Sequence, residues 1–157
     1  SVRTTLRVNG FALPRPAPGT FAELDRVWRD GDILEPEFDI CVRAEPLPSL
    51  DDSETKYAAL TRGPVVLARD IRLGKGDVDE PVAIDPAQVH SIAVTETKAA
   101  TEIWQAYRTE SGVTPDITLC DYSSAGQTWD RRTSAFRVWL PLLKPMRMAE
   151  PSPGGDG

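Results

Sequence analysis

The chain has 157 residues, enough for one domain with its own core, and sets 18 Lys and Arg against 24 Asp and Glu for a net charge of −6. The basic residues are scattered rather than gathered into a stripe, and no apolar run approaches the ~20 residues of a membrane-crossing helix, so neither nucleic acid nor a membrane is expected as a partner. Fourteen prolines and eleven glycines are too frequent for long helices and, with β-branched and aromatic residues spread along the chain, predict an all-β domain with many turns.

Val2, Thr4, Leu6 and Val8 alternate with Arg3, Thr5 and Arg7, the period of a strand with one buried face. The strand begins almost at Ser1, as in a piece of a longer polypeptide. Asn9-Gly10 supplies a tight turn, and the three prolines between Phe11 and Gly19 make a surface loop. Phe21 to Trp28 alternates like a second strand, closed by Arg29-Asp30-Gly31-Asp32. In a third, Leu34, Phe38, Ile40 and Val42 share a face, and Pro36 marks an edge or a bulge. Pro46 to Glu54 is acidic and turn-rich, an exposed loop.

The centre of the chain is Tyr57 to Asp70, two apolar runs separated by Arg62-Gly63-Pro64. Leu60 and Val65-Val66-Leu67 are too short for a helix and read as strand covered on both faces, while Gly63-Pro64 predicts a bend or a change of partner. Gly74 to Asp77 is turn chemistry without the length of a phosphate loop. Val89 to Val94 is a modest strand. The stretch from Lys98 to Tyr107 fits a helical face as well, but Ser111-Gly112 and Pro115 favour a strand over 102–109, with Ile117 to Tyr122 pairing back on it. A polar loop over 123–132 and a last strand from Phe136 to Leu142 complete a domain over residues 1–143. Residues 144–157, rich in Pro and Gly, read as a disordered tail.

Cys41 and Cys120 lie far apart, outside any C-x-x-C, and read as two buried thiols rather than metal ligands. His90 has no partner with which to build a metal site or a triad and is expected at a solvent-facing strand edge. The carboxylates are numerous, but the separation that would make two of them an acid and a nucleophile is spatial and cannot be read from spacing.

Four motifs stand in order: Leu6-Arg7-Val8-Asn9-Gly10; Gly19, Phe21, Leu24, Arg26, Trp28, Gly31 and Asp32; Ala59 to Val66; and Asp121-Tyr122-Ser123-Ser124-Ala125-Gly126 with Phe136 to Leu140. Over most of residues 4 to 141 the chain resembles the C-terminal β-sandwich region of glycoside hydrolase family 127, the β-L-arabinofuranosidase-type enzymes. The resemblance implies an antiparallel β-sandwich that lacks its first strand, which in that family lies upstream of Val2. It also implies an (α/α)6 barrel elsewhere in the polypeptide, holding a cysteine nucleophile, a zinc bound by cysteines and a glutamate, and an acid/base glutamate. No residue here matches those motifs. The expectation is a non-catalytic module without metal or cofactor, whose partner is the upstream barrel of the same polypeptide.

By the same resemblance Asn9, Gly10, Arg26, Trp28, Gly31, Asp32, Arg62, Gly63 and Pro64 are structural, with Arg26 and Arg62 expected on backbone carbonyls or a carboxylate. Among the four tryptophans, Trp28 and Trp139 are expected to point inward. Trp129 sits in a loop beside Asp130, Arg131 and Arg132 and is the candidate ligand contact, since a flat indole suits the C–H face of a sugar. A free-standing carbohydrate-binding module with Trp129 as its platform is the alternative, and an interaction domain unrelated to sugars is a third reading.

Overall fold

The computed structural model describes residues 4–17, 19–38, 40–47, 55–74, 76–98, 102–127, 130, 132 and 134–146. The fold is all-β: among the described residues the elements are antiparallel strands and three single-turn 3-10 helices. The chain divides into two compact units, Ser1–Ile40 and Cys41–Gly157.

The first unit is a three-stranded sheet, β1 (Thr5–Val8), β2 (Phe11–Ala12) and β3 (Leu34–Glu37), in the order β2-β1-β3. Asn9 and Gly10 both have positive φ, 53° and 78°, as a two-residue hairpin between right-twisted strands requires. Leu6 and Val8 are buried, and Pro36 lies on the edge strand, where a proline is tolerated.

Phe21 to Trp28, expected as a strand, is irregular, and Phe21 is 94% exposed. Its alternation puts apolar residues on both sides, so no single face drives burial, and both edges of β1 are already taken by β2 and β3. The run expected from Leu34 to Val42 is likewise divided. It stops at Glu37 and resumes at Val42 in the second unit, leaving Leu34, Phe38 and Ile40 exposed.

The second unit contains β4 (Val42–Pro46), β5 (Thr55–Arg62), β6 (Val65–Asp70), β7 (Ala83–Ile84), β8 (Ala93–Glu96), β9 (Ala106–Ser111), β10 (Val113–Thr114), β11 (Thr118–Asp121), β12 (Phe136–Arg137) and β13 (Leu140–Met146). Its main sheet runs β13-β5-β6-β11-β9-β8, with β4 beside β5 and β12 beside β6, while β7 and β10 form a separate ribbon. Leu60 faces Leu67 and Arg62 faces Val65, so Gly63-Pro64 is a two-residue hairpin rather than a bend within one strand. Gly63 takes φ 54°, and the fixed φ of Pro64 completes a reversal that suits the strand twist.

The sheet curls until its ends meet. Val42 of β4 bridges Ile92, just before β8, with Ile92 N–H donating to the Val42 carbonyl at 3.0 Å and Ala44 N–H to that of Val89 at 2.6 Å. Inside lie Val42, Leu60, Leu67, Tyr107, Leu119 and Leu140, each fully buried. Burying one such aliphatic side chain contributes on the order of 2 kcal/mol. A second cluster, Ala68, Ile103, Ala106, Cys120 and Ala125, covers the opposite face of β6, β9 and β11. The alternation Leu67/Ala68, Tyr107/Ala106 and Leu119/Cys120 shows these strands buried on both sides at those positions. Of the run expected to be covered on both faces, however, Val65 is only half-buried and Val66 is exposed, since β6 enters the core only at Leu67.

Three boundaries differ from the sequence reading. Pro86–Gln88 is a 3-10 turn, so β8 begins only at Ala93. Residues 102–105 precede β9 because their backbone is held by the β11 turn, as described below. The last strand is split at Val138-Trp139, and β13 continues to Met146 with a register shift against β5 between Pro141 and Met146.

Candidate functional site

The most highly organised polar site in the second unit lies where β6 and β11 end. Asp70 closes β6 and caps the 3-10 turn Ile71–Leu73. Its buried carboxylate accepts from Arg72 N at 2.9 Å, Arg72 Nε at 2.9 Å, Arg72 Nη2 at 2.8 Å and Gly126 N at 2.8 Å. Arg72 Nη2 also donates to the Ser124 carbonyl at 2.6 Å, and Nη1 lies 3.9 Å from Glu102 Oε2. Asp121 closes β11 in the same manner. Its carboxylate takes Ser124 N at 3.0 Å, Ser124 Oγ at 2.7 Å, Gln105 N at 3.1 Å and the Ser123 hydroxyl. Ser124 Oγ in turn accepts from Trp104 N at 3.0 Å.

Burial pushes both carboxyls upward, but the donors win. Arg72 and the Gly126 N–H hold Asp70 below the ordinary carboxylate range, and Ser123, Ser124 and the Gln105 N–H do the same for Asp121. Arg72 is raised by its bonds to Asp70. Cys120, fully buried between them, is pushed up to about 12 by burial and then by the charges of Asp70 and Asp121. These groups are ill-suited to chemistry: the carboxylates are ionised with their lone pairs occupied, and the thiol stays protonated. The two carboxylates and Arg72 tie two strand ends to the loop that carries Gly126.

In the first unit the residues marked as structural do converge. Asn9 Nδ2 donates to Asp32 Oδ1 at 2.8 Å, while Asn9 Oδ1 accepts from Ile33 N at 2.8 Å. Asp32 Oδ2 accepts from Arg29 N at 2.9 Å and Arg26 Nη2 at 3.1 Å, and the Arg26 guanidinium lies 4.8 Å over the Trp28 ring. The Asn9 bond, then Arg29 N–H and Arg26, hold the Asp32 carboxyl low. Gly10 and Gly31 supply positive-φ turns on either side.

Other residues fall elsewhere. Arg62 sits 4.9 Å over the Tyr107 ring, a cation–π pair in place of the expected carbonyl or carboxylate, because β5 and β9 bring it to the end of the core. Trp28 and Trp139 are 47% and 38% exposed and so are not core residues. Cys41 is only partly buried, its thiol donating to the His90 carbonyl at 3.4 Å and accepting from Arg43 Nε at 3.3 Å. Trp129 lies outside the described residues. Among the described residues no group of three or more His, Cys, Asp or Glu is arranged to hold a metal ion.

Among the depressions on the surface of the second unit, two bear on the residues named above. One, of about 990 Å³, has an apolar floor that includes Ile84, Val89 and Met146, with His90 and Lys144 at its rim. The other, of about 240 Å³, lies between β8 and the start of β9 and is lined by Glu96, Thr97, Trp104, Gln105, Ala106 and Tyr107. Trp104, one of the four tryptophans that invite a sugar-stacking reading but placed by the sequence in an ambiguous apolar pattern, is 72% exposed.

No family model matches the chain, and no curated protein does. Solved structures match its fold. A chain described as a glycoside hydrolase superposes with a TM-score of 0.64 at 22% identity, over 90% of this chain and 26% of its own. A second, described as a GH127 beta-arabinofuranosidase, gives 0.63 at 22% identity, over 89% of this chain and 23% of its own. The chain therefore has the fold of a portion of these proteins and spans about a quarter of their length.

Proposed function

We propose that this chain is the C-terminal, non-catalytic β-sandwich portion of a β-L-arabinofuranosidase-like glycoside hydrolase, and that it supports an (α/α)6 barrel elsewhere in the same polypeptide. The observation that carries this reading is the coverage. Nine-tenths of the chain superposes on about a quarter of each hydrolase, the relation of a part to a whole. The four ordered motifs point to the same proteins independently, because they were read from residues rather than from shape.

Two local features agree with a supporting role. The first unit exposes Phe11, Phe21, Val27, Ile33 and Phe38, an apolar excess for forty residues that suits packing against a larger body. The carboxylates of the β6–β11 site are committed to holding turns, and the Cys120 thiol is packed in an apolar cluster. Zinc, the nucleophilic cysteine and the acid/base glutamate belong, on this reading, to the barrel.

The test is an assay of the isolated chain on aryl and disaccharide β-L-arabinofuranosides, with and without added zinc. No turnover alone, together with restored solubility or activity when the chain is co-expressed with a separately encoded barrel, is the expected result. Zinc-dependent hydrolysis by the chain alone would overturn it.

A further inference from the structure

We infer that the hollow beside Trp104 is a binding subsite for one ring of a neutral oligosaccharide, with the exposed indole as its platform. This goes beyond the supporting role proposed above and requires no catalysis. Its first ground is how the tryptophan is mounted. Exposed aromatic side chains commonly stand on loose loops, but the backbone under Trp104 is fixed at consecutive residues. Trp104 N–H donates to Ser124 Oγ, Gln105 N–H donates to the Asp121 carboxylate, and Asp121 N–H returns a bond to the Gln105 carbonyl at 3.1 Å. Next in line, Thr97 N–H donates to the Ala106 carbonyl at 3.0 Å, which continues the β8–β9 ladder across the floor. A large flat face is thus held out to solvent on a rigid base, the condition under which an aromatic contact costs little entropy on binding.

The second ground is the chemistry around that face. The lining offers a carboxylate (Glu96), a hydroxyl (Thr97) and a side-chain amide (Gln105). Planar hydrogen-bonding groups beside an indole match the hydroxyls and the C–H face of a sugar ring. None of the lining residues is cationic and one is anionic, which favours a neutral ligand over a phosphorylated or sulfated one. The volume, about 240 Å³, suits one ring of a longer chain rather than a whole oligosaccharide.

The experiment uses the full 157-residue chain and three probes: arabinotriose and cellotriose as neutral ligands, and a sulfated heparin disaccharide as an anionic one. Amide and indole resonances are followed by NMR during titration, with calorimetry alongside. The expected result is saturable binding of at least one neutral trisaccharide at millimolar concentration, with shifts confined to Trp104, Gln105 and the Glu96-Thr97 segment, and no saturable binding of the sulfated probe. Trp104→Ala should weaken binding by about five- to tenfold, Trp104→Phe should retain most of it, and Trp139→Ala should leave it unchanged.

Failure of both neutral probes to bind saturably, binding indifferent to Trp104→Ala, or an indole that responds only to another protein would overturn the inference. Hydrolysis is read in the same samples. A chain that cleaves its probe refutes the supporting role, whereas one that neither cleaves nor binds refutes only the subsite.

Discussion

Asp70 and Arg72, two residues apart, form a forked ion pair in which Nε and Nη2 of the arginine meet the two carboxylate oxygens at 2.9 and 2.8 Å. The carboxylate is wholly buried and the guanidinium nearly so. Removing one partner leaves the other as an uncompensated charge in a poorly solvated site. Asp70→Ala is expected to cost about 3–5 kcal/mol in a urea unfolding experiment. The double variant Asp70→Leu, Arg72→Met should lose markedly less than the sum of the single losses. Additive losses would mean that the pair is not coupled.

Acid should unfold the chain through the same site. The folded-state pKa values of Asp70 and Asp121 lie below the unfolded value of about 3.9. Each therefore contributes stability that is complete above that value and is lost as pH falls through it toward the folded pKa. The urea midpoint is expected to stay level from about pH 7 to 5 and to drop below about pH 4, with a shallower drop in Asp121→Asn. Cys120 has the opposite sign. Its pKa is raised from 9.0 to about 12, so its contribution is present below pH 9 and lost as pH climbs from there toward 12. Cys120→Ala should flatten that alkaline limb.

Gly126 has φ 65°, and a Cβ added there would stand 2.7 Å from two ring carbons of Phe136. Gly126→Ala combines a left-handed backbone with a steric clash and should cost roughly 2–4 kcal/mol by thermal or chemical unfolding. Phe136→Leu in the same chain should recover part of the loss, since the clash is with the ring edge.

The two thiols should differ in reactivity. Cys41 is partly exposed, whereas Cys120 has no accessible surface and a strongly raised pKa. Reaction with a chromogenic disulfide at pH 8 is expected to give one thiol equivalent from the native chain and the second only after denaturation. Cys41→Ser should abolish the first.

The features legible in the sequence were those fixed by local backbone chemistry. Asn9-Gly10 announced its turn because few other residue pairs adopt those angles, whereas Gly63-Pro64 marked a break without revealing that the chain reverses there, and the two covered faces expected of Val65 to Leu67 begin only at Leu67. Asp121-Tyr122-Ser123-Ser124 could be quoted as a motif, but its role required knowing that β6 brings Asp70 and Arg72 alongside it. Phe21 to Trp28 misled because alternation records a periodicity and not whether a strand edge is free to pair with it. Arg62 found an aromatic face rather than an acid for a similar reason: its neighbour, Tyr107, is 45 residues away and is delivered by pairing order. The exposure of Trp104 was not legible because an indole counted as apolar in a pattern gives no hint of which side faces water.

The join between Val42 and Ile92 gives the second unit a seam. A ladder that runs round and fastens to itself offers few loose borders for stray chains to extend. A seam held by so few backbone bonds is also the natural place for the ring to come undone. Amide protons at Ile92 and Ala44 are expected to exchange with deuterium before those of β5 and β6, in the manner of a zip that starts from its clasp.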